Sequence, residues 1–292
     1  MGDHHLHLHP HEPARGGPPP GSYPDGLIES YVEVAGRRGV DALGFTEHLY
    51  RCVESEAALG RWWEHEPDPR LAEHTRAFVM RDRNLRLETY VEAVEAAKDR
   101  GLPVALGLEV DFFPETIDAV LDLIAPYPWD FLIGSVHWIG GWAVDTAEVT
   151  GEFERRGVRR AWEEYFALET QLAASGSVDV LAHVDVCKKY GHRPEQEPVD
   201  LYRAVVDAAS GSGTAVEVSS QGLRRPVDEV YPAPSFLEMF NRAGVPITLA
   251  SDGHAPDEAA WGHQEVVAAA RRAGYTRSLR FERRRRWEVA LR

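Results

Sequence analysis

The stretch VDALGFTEH, residues 40–48, runs a mostly apolar, strand-like segment directly into Thr46, Glu47 and His48, and two of those three side chains are metal-ligand types. The arrangement recurs along the chain. Glu109 lies within LPVALGLEV (102–110), His137 follows WDFLIGSV (129–136), His183 closes SVDVLAH (177–183), and Asp252 and His254 follow VPITLAS (245–251). GTAVEVSS (213–220) and the first dozen residues, MGDHHLHLHPHE, complete seven strand candidates. Between them lie amphipathic helical stretches. LIESYVEVAGRRG (27–39) and LRLETYVEAVEAAKDRG (85–101) stop on Gly, and PETIDAVLDLIA (114–125) opens with Pro at its first turn. Strands alternating with helices predict βα units around a parallel sheet or barrel. The C-terminal strand ends of such a barrel gather at one face, so ligand-type residues scattered from His5 to His254 are expected to converge there.

The opening stretch holds five histidines, His4, His5, His7, His9 and His11. A purification tag is the alternative reading of such an end. The recurrence of the same residue types after the later strands argues for strand one instead. In an extended strand Asp3, His5, His7 and His9 would share one face, with His4, Leu6 and Leu8 on the other.

Composition sets the outer bounds. With 292 residues, 43% of them apolar, the chain suits one domain of α/β-barrel size over 1–292. A Pro/Gly loop at 12–25 and a polar, Trp-containing insertion at about 50–83 elaborate it. No apolar run approaches the ~18 residues of a membrane span. Cys52 and Cys187 carry no spacing motif, which fits free thiols in a cytoplasmic protein. A formal net charge of −15 opposes a nucleic-acid partner, because that binding relies on cations neutralising phosphates. The basic block Arg283 to Arg286, between the strand-like SLRFE and WEVAL, reads as a solvated face.

Mixed imidazole and carboxylate donors suit Zn, Mn or Fe, and the number of candidates implies two or three divalent ions. Glu109 and Asp252 are the natural bridges, since a carboxylate offers two oxygens and an imidazole nitrogen cannot bridge. Ions so placed polarise phosphoryl oxygens and bring the pKa of bound water toward ~7, which suits attack on a phosphate ester by a metal-activated hydroxide. Glu109, Asp252 and His254 are accordingly the catalytic candidates, and the partner is a small phosphorylated substrate. Lys188, Lys189, Arg193, Arg224 and Arg225 follow strand ends and are candidate phosphate anchors. Arg224 comes first among them because it follows the sixth strand, which supplies no strand-end ligand. Glu47, Asp3 and Asp185 adjoin candidate ligands and could orient imidazoles or protonate the leaving group. Trp138, Trp142 and Asp145 could shape the pocket for a cationic, imidazole-bearing amine, although packing is the simpler role for the tryptophans.

Asp3-His4-His5-Leu6-His7, GFTEH, GLEVDF, GSVHWIGGW, LAHVDVCKKYG and LASDGH, in that order, resemble the motifs of the polymerase and histidinol phosphatase (PHP) superfamily. EVSSQGLRRPVDEVYP and FNRAGVP resemble its monofunctional histidinol-phosphatase branch. The resemblance implies a distorted (β/α)7 TIM-like barrel with a trinuclear site, hydrolysis of L-histidinol phosphate and a place in histidine biosynthesis. It further implies that His5, His7, Glu109 and Asp252 hold one ion, that His48 and His254 hold a second, and that a third shares Glu109 with His137 and His183. The remaining ligand of the second ion is left open between His9 and His11. The rival readings are another phosphoesterase of the superfamily, a general phosphatase or a nuclease, and an amidohydrolase. The latter family usually ends its last strand on a lone Asp and often bridges its metals with a carboxylated Lys, whereas here His254 follows Asp252 and the third strand offers Glu109. A metal-buffering protein is the non-enzymatic alternative.

Overall fold

The computed structural model describes residues 1–10 and 17–292. Its parallel strands form two arcs. One contains β1 (Gly2–Leu6), β2 (Ala42–Phe45) and β3 (Val104–Leu106), paired in that order. The other runs β4 (Glu109–Asp111), β5 (Ile133–Ser135), β8 (Val180–Leu181), β9 (Ala215–Ser219) and β10 (Ile247–Ala250). A small antiparallel ribbon of β6 (Trp138–Ile139) and β7 (Trp142–Ala143) intervenes after β5. Two isolated parallel bridges join the arcs, Leu6 of β1 to Gly253 beyond β10 and His48 beyond β2 to Glu109 of β4.

The segment expected as one strand, 102–110, is therefore two pieces that serve different arcs. Phe131 gives the physical reason for the close approach around the break. A Cβ on Gly107 would lie 2.7 Å from the Phe131 Cζ and one on Gly44 would lie 2.6 Å from it, so the backbone can close on this ring only where no side chain stands. Full burial of Phe131 contributes on the order of 2–3 kcal/mol.

Helices α1 (Leu27–Arg37), α2 (Glu56–Leu59), α3 (Pro69–Asp82), α4 (Leu87–Asp99), α5 (Ile117–Ile124), α6 (Glu152–Arg156), α7 (Val158–Ser175), α8 (Val199–Ser212), α9 (Pro234–Arg242) and α10 (His263–Arg272) occupy the connections. The longer ones bury one stripe against the sheet, as α4 does with Tyr90, Val94 and Ala97. Helix α5 starts later than expected. Pro114 lies in a turn in which the N–H groups of Thr116 and Ile117 both donate to the Phe113 carbonyl. Among the described residues no helix is long and apolar enough to cross a membrane.

The chain ends in a hairpin of β11 (Arg277–Glu282) and β12 (Arg285–Ala290). Arg283 and Arg284 make its two-residue turn, both at positive φ. Leu279 and Phe281 pack on Phe131, Ile133 and Val180, while Arg284 pairs with Asp179 at 3.1 Å and the Arg283 N–H donates to Asp130 at 2.8 Å. The arginines stay exposed while anchoring the hairpin against the N-terminal strand ends.

His4 is enclosed there, edge-on to Phe131 and Phe281. Burial, helped by Arg280 and the chain N-terminus, lowers its pKa from 6.5 to about 3. Because the folded value lies below the unfolded one, the neutral ring costs nothing above pH 6.5, and stability is lost as pH falls from there toward 3. At pH 5 the loss is about 2 kcal/mol. His4→Leu should therefore lose roughly 4–8 °C less melting temperature than the parent between pH 7 and pH 5. Equal acid sensitivity of the two proteins would contradict this account.

Candidate metal centre

Strand β1 carries one more residue than β2 between Asp3 and Leu6, and this irregularity corrects the expected single face. Asp3 turns away from the histidines. Its carboxylate accepts from the Ser251 N–H at 2.9 Å, the Ser251 hydroxyl at 2.6 Å and the Ala260 N–H at 2.7 Å. His5 and His7 turn inward together, their Nε2 atoms 3.1 Å apart. His9 departs again, its Nδ1 lying 3.3 Å from Glu47 and its Nε2 3.1 Å from the Ser22 carbonyl. Of the two histidines left open for the extra ligand, His9 is thus held by protein groups, and His11 lies outside the described residues.

The other predicted ligands converge. His5, His7 and Asp252 form one group, His7, His48 and His254 a second, His5, Glu109 and His183 a third, and His48, Glu109 and His137 a fourth. Within each, the potential ligand atoms lie inside 4.8 Å of one another. Glu109 is central and fully buried. Its Oε2 lies 2.5 Å from His48 Nδ1 and 3.5 Å from His5 Nε2, and its Oε1 lies 3.1 Å from His183 Nε2 and 3.4 Å from His137 Nε2. Asp252 Oδ1 is 3.3 Å from His7 Nε2 and 3.7 Å from both His5 Nε2 and His254 Nδ1.

Two observations test whether this set suits metal ions. Tetrahedral coordination with Zn–N bonds of about 2.0–2.1 Å separates two ligand nitrogens by about 3.3 Å, close to the His5–His7 spacing. Glu109 Oε2 and Asp252 Oδ1 are buried oxygens faced by several imidazole nitrogens each, a crowding of Lewis bases that cations among them would satisfy. The donors fit. Burial alone would raise the carboxyl pKa of Glu109, but His48, His5 and His137 outweigh it and hold it well below the ordinary value. His5, His7 and His254 do the same for Asp252. Burial opposes charge on His137, yet Glu109 and Asp111 lift its pKa to about 9.

Two residues that the sequence reading did not single out complete the centre. Glu217 on β9 lies 2.8 Å from His5 Nδ1 and accepts the His183 N–H at 2.8 Å, so the sixth strand does contribute, one layer behind the cluster. Its signal was an acid inside the otherwise apolar AVEV. Asp111 lies 2.9 Å from His137 Nδ1 and accepts the Tyr50 N–H at 3.0 Å. Glu47, by contrast, mainly holds backbone, accepting the Leu8 and His9 N–H groups at 2.7 and 3.1 Å. Asp185 pairs with Lys188 at 2.8 Å and accepts the Ala233 N–H at 2.7 Å.

A cleft of about 590 Å³ opens above the cluster, with His48, His137, Asp252 and His254 in its lining. Lys189, Arg224 and Arg225 line it as well, and so do His74 and Phe78 of α3, which makes part of the 50–83 insertion a cleft wall. Lys188 does not reach the cleft. Its fully buried ammonium lies 2.5 Å from Glu229 and donates to the Val230 carbonyl at 2.9 Å. Arg193 pairs with Glu229 at 2.8 Å. Arg224 is held by the Ser251 carbonyl at 2.8 Å and Glu258 at 3.0 Å, over the ring of Trp261. Trp138 lines the cleft, whereas Trp142 packs edge-on to Phe153.

The PHP domain family model matches residues 23–221. A Deinococcus radiodurans protein described as "Probable histidinol-phosphatase" is 31% identical over 252 residues, covering 85% of this chain and 88% of that protein. Among solved structures, histidinol phosphate phosphatase from Lactococcus lactis, complexed with Zn, L-histidinol and phosphate, matches with a TM-score of 0.72 at 19% identity over 98% of both chains. A Listeria monocytogenes chain matches with a TM-score of 0.70 at 18% identity, over 91% of this chain and 99% of that one.

Proposed function

This chain belongs to the PHP domain family, and from that premise we propose that it is a metal-dependent phosphomonoesterase that hydrolyses L-histidinol phosphate to L-histidinol and phosphate. The observation that carries the chemistry is the convergence of His5, His7, His48, Glu109, His137, His183, Asp252 and His254 under a cleft lined by cations. The identity of the ester follows the Deinococcus radiodurans relative. In this reading residues 1–292 make one domain, and the two strand arcs are the halves of a distorted (β/α)7 barrel, which the bridges Leu6–Gly253 and His48–Glu109 between the arcs support.

The imidazole and carboxylate groups would hold two or three divalent ions, with Zn, Mn or Fe the metals such donors favour. Bound there, the ions supply charge neutralisation for the phosphoryl oxygens and a hydroxide at neutral pH. The chain's own residues do the rest. Glu217 and Asp111 take the Nδ1–H of His5 and His137, fixing each tautomer so that Nε2 presents a lone pair to the cluster. Glu109 and Asp252 keep their negative charge because imidazoles surround them, and with His254 they form the catalytic floor. Lys189, Arg224 and Arg225 face the outer phosphate oxygens, with Arg224 already held in place by Ser251, Glu258 and Trp261.

Phosphate release from L-histidinol phosphate, run beside p-nitrophenyl phosphate and an oligonucleotide before and after chelation, tests the assignment. Metal-dependent turnover selective for histidinol phosphate is expected. Turnover confined to the other two would overturn the substrate, and no turnover in any metal-reloaded sample would overturn the enzyme. Arg224→Ala is expected to raise KM about 10-fold while changing kcat less, since it removes a charge-assisted contact to phosphate. Unchanged KM and kcat would remove Arg224 from the site.

A further inference from the structure

Lys189 and Asp145 stand together at the cleft, their Nζ and Oδ2 atoms 2.9 Å apart, and both line it. The pair is locally out of place in a site for a phosphate alone, where a carboxylate beside an anchoring lysine repels the ligand. Position explains it. Asp145 follows β7, and the preceding Val144 N–H donates to the His137 carbonyl at 2.9 Å, which ties the carboxylate to the edge of the metal cluster. Among the described residues Lys189 is the one hydrogen-bond partner of the Asp145 side chain, and the carboxylate itself lines the cleft.

We infer that Asp145 is the specificity residue that selects phosphate esters bearing an ammonium group on the carbon next to the ester carbon. The inference rests on the phosphatase reading given above. Lys189 and Asp145 present a cation and an anion side by side, which complements a ligand whose phosphate and ammonium are equally close neighbours. With Arg224 and Arg225 on the phosphate, Lys189 and Asp145 read the two charges of such a zwitterion together. A plain alkyl phosphate satisfies the cations and offers Asp145 no positive charge, so the site discriminates through an ion pair that only the amine supplies.

The metal-loaded full chain can be assayed with L-histidinol phosphate and with its desamino counterpart, 3-(imidazol-4-yl)propyl phosphate. The expected ratio of kcat/KM values is at least 10-fold in favour of the amine. Asp145→Asn, close in shape, should reduce that ratio about 10-fold, and Lys189→Met should raise KM for both esters together. A parent ratio near one overturns the inference without any variant, and so does an Asp145→Asn protein that loses the same factor on both esters, because that pattern means Asp145 serves Lys189 alone. If the parent turns over neither ester, the phosphatase reading itself fails, an outcome distinct from turnover without discrimination.

Discussion

Glu109→Gln is expected to strip the protein of bound metal and to lower kcat/KM for phosphate release by about 1,000-fold or more. The change keeps size and shape, so the effect is one of charge and donor chemistry. Glu109 offers one oxygen to His48 and His5 and the other to His137 and His183. An amide there replaces one acceptor oxygen with an N–H donor and removes the negative charge on which the surrounding imidazoles converge. Losing a carboxylate ligand that faces two groups of donors costs several kcal/mol of the Lewis-acid stabilisation that the ions supply. Elemental analysis of the purified variant, read beside its phosphate release, checks both halves. A variant with full metal content and parental activity would remove Glu109 from the centre.

Chelation is expected to abolish activity and to lower the melting temperature by about 10–30 °C, with both recovered on reloading. At a free metal concentration 100 times Kd, each independent site stabilises the fold by about 2.7 kcal/mol. For a chain of this size, each kcal/mol moves the melting temperature by about 2–4 °C. The metal-free protein should also respond to pH in a definite direction. His5 is pushed well above its ordinary pKa, burial being outweighed by Glu217, Asp252 and Glu109, and His137 rises to about 9. Folded values above the unfolded 6.5 mean that this stability is present below pH 6.5 and is lost as pH climbs toward 9. Metal ions gain affinity over the same range as ligands deprotonate. The gap in melting temperature between loaded and chelated protein should therefore widen from pH 7 to pH 9. A constant or narrowing gap would mean that the imidazoles are not what balances the buried carboxylates.

Much of this centre is legible in the sequence because most of the candidate ligands follow a strand, and parallel strands deliver their C-terminal ends to one place. His48, His137, His183 and Asp252 needed only that rule. What escaped depends on backbone detail or on partners remote in sequence. The extra residue in β1 separates Asp3 from His5, and no alternation pattern reveals it. Glu217 sits mid-strand, where a buried acid becomes meaningful only once His5 is its neighbour. Lys188 and Lys189 are adjacent in sequence, yet the short 3-10 turn at Val186–Lys188 sends one ammonium into a buried ion pair and leaves the other at the cleft. The wall supplied by α3 was likewise unreadable, since the polar insertion bears no motif and acquires its place through packing.

The eight clustered residues come from both ends of the chain, with His5 near its start and His254 near its close. During synthesis at about 5–20 residues per second, on the order of 10–50 s separates the appearance of the first of these side chains from that of the last. The early histidines must spend that interval without their later partners, and bringing Leu6 of β1 to Gly253 is a long-range event that is slow by topology. A centre that draws on all of these side chains would capture its metal only once the sheet is essentially complete, and ion uptake timed against translation would report the end of folding rather than its beginning.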